Sequence, residues 1–496
     1  MINELYKQIL RRENVRENLS RLRAAVKEEK EYKAAKALLG NGKEAEKLLL
    51  SNDPKVRKNA AALLGDLEIE EAACALYEAY RKEETLFVRA PLLLALEKTD
   101  PYPYLEELSK RYELLCSQEV KEEEKKHIQN ELHALERILR KDGDACGHTF
   151  TGWDQRFTVM LTTNPAYARV TADKFQARRK GATALGVQAV VDGLWEVADI
   201  RTYRELLFPI ALGREIFLED GPEIFGEALA ESRVLPLLKR CHEGPAPFYF
   251  RLAVKSGLSM EERSRYVRRA AAVIEEKSGR ALRNSPEEYE FEIRLMTGKS
   301  GAIRIFLKMF TIPMERFSYR KKTIAASMHP SLAAMLLELA RPYMKVQAKV
   351  LDPCCGSGTM LVERNKILSV REAYGIDVFQ EAVLSAKVNT KEAEMEVNFI
   401  QKDYLRFAHR DLFDEIIANM PLRGKRSKEE QDLFYEGFFN KSEELLAPGG
   451  IMILYSNENG FVKKQLRLHP KFWLCKEYLI REKEQFWLFM IGRKRK

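Results

Sequence analysis

The spacing of apolar and polar positions changes twice along the 496 residues. From residue 1 to 140, leucines and alanines recur every three or four positions with charges between them, which predicts helix throughout. Within this stretch "NDPKVRKNAAALLGDL" (52–67) is echoed by "EETLFVRAPLLLALEK" (83–98), so that Val56-Arg57 and Val88-Arg89 stand 32 residues apart, and "AAKALLG" (34–40) resembles "AAALLG" (60–65). A single helix pair cannot bury its own apolar face, so a period of this length predicts stacked pairs; an ordinary helical bundle is the alternative. From 148 to 320, alternating segments such as "RFTVMLTT" and "YEFEIRLMT" mix with helices such as "SMEERSRYVRRAAAVIEEKSG", an α+β pattern. From 325 to 496, strand and helix alternate: helix "PSLAAMLLELARPY", strand "AKVLD", a helix, strand "AYGID", helix "QEAVLSAKVNTKEA", strand "EVNFIQKD", strand "FDEIIANM", helix "EEQDLFYEGFFNKSEELL" and strand "GGIMILYSN". That order predicts a parallel sheet covered by helices on both faces. Two late strands, "FWLCKEYLI" and "EQFWLFMIGRK", leave no room for a crossover helix and predict an antiparallel hairpin at one edge.

Composition narrows the class. With 45% hydrophobic and 32% charged residues the chain reads as an ordinary soluble protein, and a net charge of +9 favours an anionic partner. No apolar run reaches the roughly 18 residues of a membrane span, and the opening "MINELYKQILRRENVRENLS" reads as a charged amphipathic helix rather than a signal peptide. The seven cysteines (Cys74, Cys116, Cys146, Cys241, Cys354, Cys355, Cys475) are scattered, which fits a reducing, cytoplasmic setting. Cys146 and His148 come nearest to a ligand pair, but without a second pair no metal site is expected. Near residue 320, Arg316, Arg320, Lys321 and Lys322 interleave with Phe317 and Tyr319. Cations that neutralise phosphates beside rings that stack on bases suit a nucleic-acid surface; a solvated charged face is the alternative.

The stretch "VLDPCCGSGTMLVE" (350–363) is a strand running into Asp352, Pro353, two cysteines and two glycines. In such sheets ligands lie beyond the carboxyl ends of the strands, where the strand order reverses. Gly356 and Gly358 lack the Cβ atoms that would keep a ligand off the backbone. A phosphate-gripping loop would carry Gly-Lys-Ser/Thr, and a dinucleotide loop a third Gly or Ala where Leu361 stands; neither is present. Asp377 in "YGIDV", 25 residues after Asp352, ends the second strand and can accept both ribose hydroxyls of a nucleoside. Asp403 in "QKDYL" ends the third and can accept from an adenine amine, while Asp352 can hold a charged amino-acid end. Carboxylates without a phosphate grip suit a cationic nucleoside, which describes S-adenosylmethionine; helix capping by the same residues is the plainer alternative. The candidate cofactor set is Asp352, Cys355, Gly356, Gly358, Asp377, Asp403 and Asn419.

The fourth strand ends in "IIANMPLRG" (416–424). The lone pair of an exocyclic amine is delocalised into its ring, so acceptors aimed at its two hydrogens favour the pyramidal, nucleophilic form. The Asn419 side-chain oxygen and the carbonyl of Met420 or Pro421 are candidates, with positioning and electrostatics supplying the acceleration and no strong base required. Asn-x-Pro after a strand is also an ordinary turn.

"DPCCGSGT" resembles the Asp-Pro-Phe/Cys-Cys-Gly-Ser-Gly-Thr loop of THUMP-associated methyltransferases that modify guanine N2 in RNA, and "NMPL" resembles their Asn/Asp-Leu/Pro-Pro-Tyr/Phe motif. "RFSYRKKTIAASMHPSLAAML" (316–336) is similar to the basic linker and helix that join a THUMP domain to the catalytic domain in that family. The resemblance implies three parts: residues 1–140 outside the family and similar to HEAT-like repeats, 148–320 THUMP-like, and 325–496 a Rossmann-like class I methyltransferase domain. It further implies S-adenosyl-L-methionine as cofactor and tRNA or ribosomal RNA as substrate; the helical repeats, which lie outside the resemblance, are expected to take a protein partner. Two residues depart from the motif. Leu422 replaces the aromatic that would stack on the target base, worth roughly 1–3 kcal/mol, and Arg423 lengthens the turn; Phe317 or Tyr319 could stack instead. Amino-methylation of adenine or cytosine, in DNA or RNA, and a non-catalytic adaptor are the alternatives.

Overall fold

In the computed structural model, which describes residues 2–117, 121–141, 147–244, 247–298, 300–325 and 327–495, chain contacts divide the protein into two units, Met1–Gly147 and His148–Lys496. The first is helical: Ile2–Leu10, Val15–Val26, Glu29–Leu39, Lys43–Leu48, Pro54–Asp66, Ala73–Lys82, Leu86–Lys98, Leu105–Ser117 and Glu122–Lys141. Its apolar stripes meet in one core around Leu19, Leu22, Leu64, Leu76, Leu93 and Leu135. The echoed segments start helices at Pro54 and Leu86, and their arginines make matching bonds. Arg57 donates to the Ser51 carbonyl six residues back at 2.8 Å and to both oxygens of Glu83 at 2.7 Å. Arg89 donates to the Glu83 carbonyl, again six residues back, at 2.8 Å and to Glu131 at 3.3 Å. At each position an arginine in the first turn of a helix ties down the entering loop and meets a buried carboxylate further along the chain.

The second unit holds two large sheets. The first has eight strands in the order Arg179–Thr183, Gly186–Val191, Phe157–Thr162, Leu206–Ile210, Ile303–Met309, Phe291–Thr297, Phe248–Lys255, Leu282–Asn284. It is antiparallel except where Phe248–Lys255 runs parallel to its two neighbours. Helix Met260–Lys277 lies against it, opened by a capping box in which Ser259 and Glu262 satisfy each other's backbone N–H.

The second sheet has seven strands, taken in chain order as first to seventh: Ala348–Asp352, Val370–Asp377, Asn398–Gln401, Phe413–Asn419, Leu446–Ser456, Phe472–Arg481 and Phe486–Arg493. Their spatial order is third, second, first, fourth, fifth, seventh, sixth. The first five are mutually parallel, and the last two form the antiparallel hairpin, with the seventh strand inserted beside the fifth. This is the class I methyltransferase fold. Neighbouring residues feed opposite faces: Val350, Ile417 and Ile453 join one core, and Leu351, Ile416 and Leu454 the other. Helix Asn459–Leu468, absent from the sequence reading, fills the connection between the fifth and sixth strands. Among the described residues no helix is long and apolar enough to cross a membrane, and no group of His, Cys, Asp and Glu could hold a metal ion. Cys146 lies outside the described residues; His148 is buried and meets Glu290 through Nδ1 at 2.8 Å.

Candidate active site

The strand order reverses between the first and fourth strands, and a cleft of about 1110 Å³ opens beyond their carboxyl ends. Asp352, Cys355, Gly356, Asp377, Asp403, Asn419, Met420 and Pro421 all line it. Asp377 braces the glycine loop, its two oxygens accepting from the N–H groups of Gly356 (2.9 Å) and Phe379 (3.0 Å). Asp403 accepts from the Leu405 N–H at 2.9 Å and is exposed, so its cap leaves lone pairs facing the cleft. Asp352 is 1% exposed and, among the described residues, accepts only from the Cys354 N–H, at 3.1 Å. Burial, reinforced by the Asp377 charge and opposed by that N–H, pushes its carboxyl up to about 8.

The two glycines serve different ends. Gly356 has φ +52°, and a Cβ there would meet only Ile324, at 3.8 Å, so its absence keeps the cleft floor open. Gly358 does not line the cleft. Its φ of +80° starts helix Thr359–Ile367, and a Cβ would press on Ala386 at 3.3 Å. Cys355 offers the cleft little side chain, because its sulfur packs into the core next to Gly375. Burial raises both the Cys354 and Cys355 thiols well above their ordinary range, so neither is poised as a nucleophile.

Asn419 stands opposite Tyr455 in the sheet register, and the Met420 N–H donates to the Tyr455 carbonyl at 2.9 Å. The Met420 side chain belongs to the core, leaving its backbone for the cleft. The Asn419 amide has no hydrogen-bond partner among the described residues. Leu422 is 59% exposed.

The basic linker is divided. Arg316 donates to the carbonyls of Ile200 (2.8 Å), Tyr203 (2.6 Å) and Arg204 (3.1 Å) and stacks over the Tyr203 ring. Tyr319 is buried with its hydroxyl 2.7 Å from Glu363, and Phe317 packs between the guanidinium groups of Arg201 and Arg316. These three hold the two sheets' layers together, and neither ring lines the cleft. Arg320 is half-buried against the Met328 carbonyl; Lys321 and Lys322 are exposed.

Several lining residues escaped the sequence reading. Thr162, Asn164, Thr202 and Arg204 come from the eight-stranded layer, and Tyr455, stacked on Phe486 at 5.0 Å, from the far strands. Among the described residues the buried Tyr455 hydroxyl has no hydrogen-bond partner. Phe379 also lines the cleft, 70% exposed; a large ring two residues past the strand-end Asp377 was the legible signal for it.

Residues 318–477 match the model of the UPF0020 family (RMKL-like, methyltransferase domain). A stretch of 92 residues is 34% identical to ribosomal protein L11 methyltransferase from Dictyoglomus thermophilum, covering 18% of this chain and 30% of that protein; the chain thus spans under a third of that curated relative. Two solved structures share the fold. TrmN from Thermus thermophilus has a TM-score of 0.50 at 20% identity, covering 68% of this chain and 100% of its own. SMU.472, solved with SAH, has a TM-score of 0.53 at 14% identity, covering 69% and 99%. The C-terminal part of the chain is an S-adenosyl-L-methionine-dependent methyltransferase domain.

Proposed function

We propose that the protein is an RNA methyltransferase acting in the cytoplasm on the exocyclic N2 of guanosine in tRNA or ribosomal RNA. The observation that carries this reading is the unpartnered Asn419 amide, opening onto the same cleft as three strand-end carboxylates. S-adenosylmethionine, when bound, supplies an electrophilic methyl on a sulfonium. Asp377 would accept from the ribose hydroxyls, Asp403 from the adenine amine and Asp352 from the ammonium, with the open floor at Gly356 beneath them. Asn419 Oδ1 and the Met420 or Pro421 carbonyl would hold the target amine by its two hydrogens, turning its lone pair toward the methyl. After transfer the amine loses its extra proton to solvent. Guanine N2 is favoured by the likeness of "DPCCGSGT" and "NMPL" to that family. Phe379 and Phe486, which line the cleft and are not buried, would offer ring surface in place of the aromatic absent at Leu422. On this reading 148–320 is a THUMP-like RNA-binding region carrying Lys321 and Lys322 at its exit, 325–496 is the catalytic domain, and the HEAT-like repeats of 1–140 dock a protein partner.

The test is transfer of labelled methyl to unmodified total RNA, with genomic DNA as a second substrate and nucleoside mass spectrometry to identify the base. Asn419→Ala should lower turnover about 100-fold or more while RNA binding persists. Label in adenine or cytosine, or in DNA, would replace guanosine N2. No label in either nucleic acid would turn the reading to an adaptor that only binds ligand or RNA.

A further inference from the structure

Charge is distributed unevenly around the cleft. Among the described residues its acidic lining residues are Asp352, Asp377 and Asp403, all at the ends of the first three strands; its cations are Arg204, Arg426 and Arg481, and no carboxylate lines the cleft beside them. Two of these arginines are engaged: Arg426 donates to the Leu422 carbonyl at 2.8 Å, and Arg481 pairs with Glu484 at 2.7 Å. Arg204 is exposed, and among the described residues its guanidinium has no carboxylate or carbonyl partner. Its backbone, by contrast, is clamped. The Arg204 N–H donates to the Thr162 carbonyl at 2.7 Å, and its own carbonyl accepts from Arg316 at 3.1 Å. The neighbouring loop is pinned to the seven-stranded sheet, Asn164 Nδ2 donating to the Ile480 carbonyl at 2.6 Å and the Tyr167 hydroxyl to the Leu479 carbonyl at 2.9 Å.

A guanidinium held by a fixed backbone, unpaired, at the basic side of a cleft whose acidic side suits a cationic cofactor, is prepared for an anion on the other reactant. We propose that Arg204 binds a backbone phosphate next to the target nucleotide, so that the eight-stranded layer completes the catalytic cleft as well as tethering RNA. The inference rests on the RNA reading above. A guanidinium matches two phosphate oxygens at once and stays charged at any working pH. His329, which also lines the cleft, is held neutral, its imidazole lowered to about 4 by burial and then by the charges of Arg204, Arg320 and Arg316. The positive field at this end therefore comes from arginines and does not fade through neutral pH.

The test uses full-length protein, unmodified total RNA and a salt series from about 50 to 200 mM, comparing wild type with Arg204→Gln and Arg204→Lys. Arg204→Gln should raise KM for RNA roughly tenfold and flatten the logarithmic salt dependence of kcat/KM by about 0.7–0.9, with SAH affinity held. Arg204→Lys, which keeps the point charge, should restore the salt slope. Wild-type KM and slope in Arg204→Gln would overturn this assignment while leaving the RNA reading intact. Failure of wild type itself to methylate or bind RNA would overturn both.

Discussion

Asp352 shows what burial does to a single carboxyl. Among the described residues no cation pairs with it, and its proton is held up to about 8, whereas an Asp in an unfolded chain titrates near ~4. The folded protein therefore binds this proton more tightly than the unfolded chain. The group's contribution to stability is fully present below pH ~4 and is lost as pH rises through about 8. A ligand ammonium requires the ionised form, so cofactor affinity should rise over the upper part of that window, and binding near pH 7 should expel up to one proton. Calorimetric titration with SAH in two buffers of different ionisation enthalpy reads that proton; identical heats in both would contradict the prediction. Asp352→Asn should weaken SAH binding by roughly 10- to 100-fold without lowering stability at pH 8. The glycine loop was half legible at this scale. Gly356 keeps the cleft open, as a glycine beside a strand-end acid suggests, but Gly358 answers to a helix start and to Ala386, a neighbour from a distant helix that sequence cannot display.

Among the elements, helix Thr359–Ile367 departs furthest from its pattern. Glu363 and Arg364, adjacent and charged, are both fully buried. Arg364 faces the sheet, pairing with Glu415 of the fourth strand at 2.7 and 2.8 Å and donating to the carbonyls of Leu368 and Lys345. Each partner is satisfied, so the pair tolerates burial; removing one leaves a bare charge inside. Glu415→Ala should cost about 3–5 kcal/mol by urea denaturation. The double replacement Arg364→Met with Glu415→Leu should recover most of it, and a loss under ~1 kcal/mol from the single change would refute the account. The strands and long helices of this domain followed their apolar spacing, and the late hairpin followed its short loop. Helix Asn459–Leu468 did not announce itself, because it is only ten residues long and few of them are buried.

For the whole second unit, the same helix is held from the other side. Arg201, from the eight-stranded layer, meets both oxygens of Glu363 at 2.8 Å and donates to the Arg316 carbonyl, while the Tyr319 hydroxyl also reaches Glu363. The helix that begins at the glycine loop is thus fixed between the sheet beneath it and the layer beside it. Arg201→Met should lower the unfolding midpoint and weaken SAH binding several-fold although Arg201 does not line the cleft; unchanged SAH affinity would show that the junction only adds stability.

What the sequence by itself determined is local. The helical spacing of the first 140 residues, the strand–helix alternation after 325, the acids at three strand ends and Asn419 at a fourth all follow from residue type and period, because side-chain periodicity and the reach of a strand end are properties of neighbouring positions. The tertiary structure decided what depended on distant partners. It set Arg316 against the carbonyls of Ile200, Tyr203 and Arg204, the Tyr319 hydroxyl against Glu363, and Phe317 against Arg201 and Arg316, all partners far away in the chain or in a different layer. It also brought Arg204, Asn164 and Tyr455 to a cleft whose acids lie on other strands, a convergence that exists only once both sheets are packed.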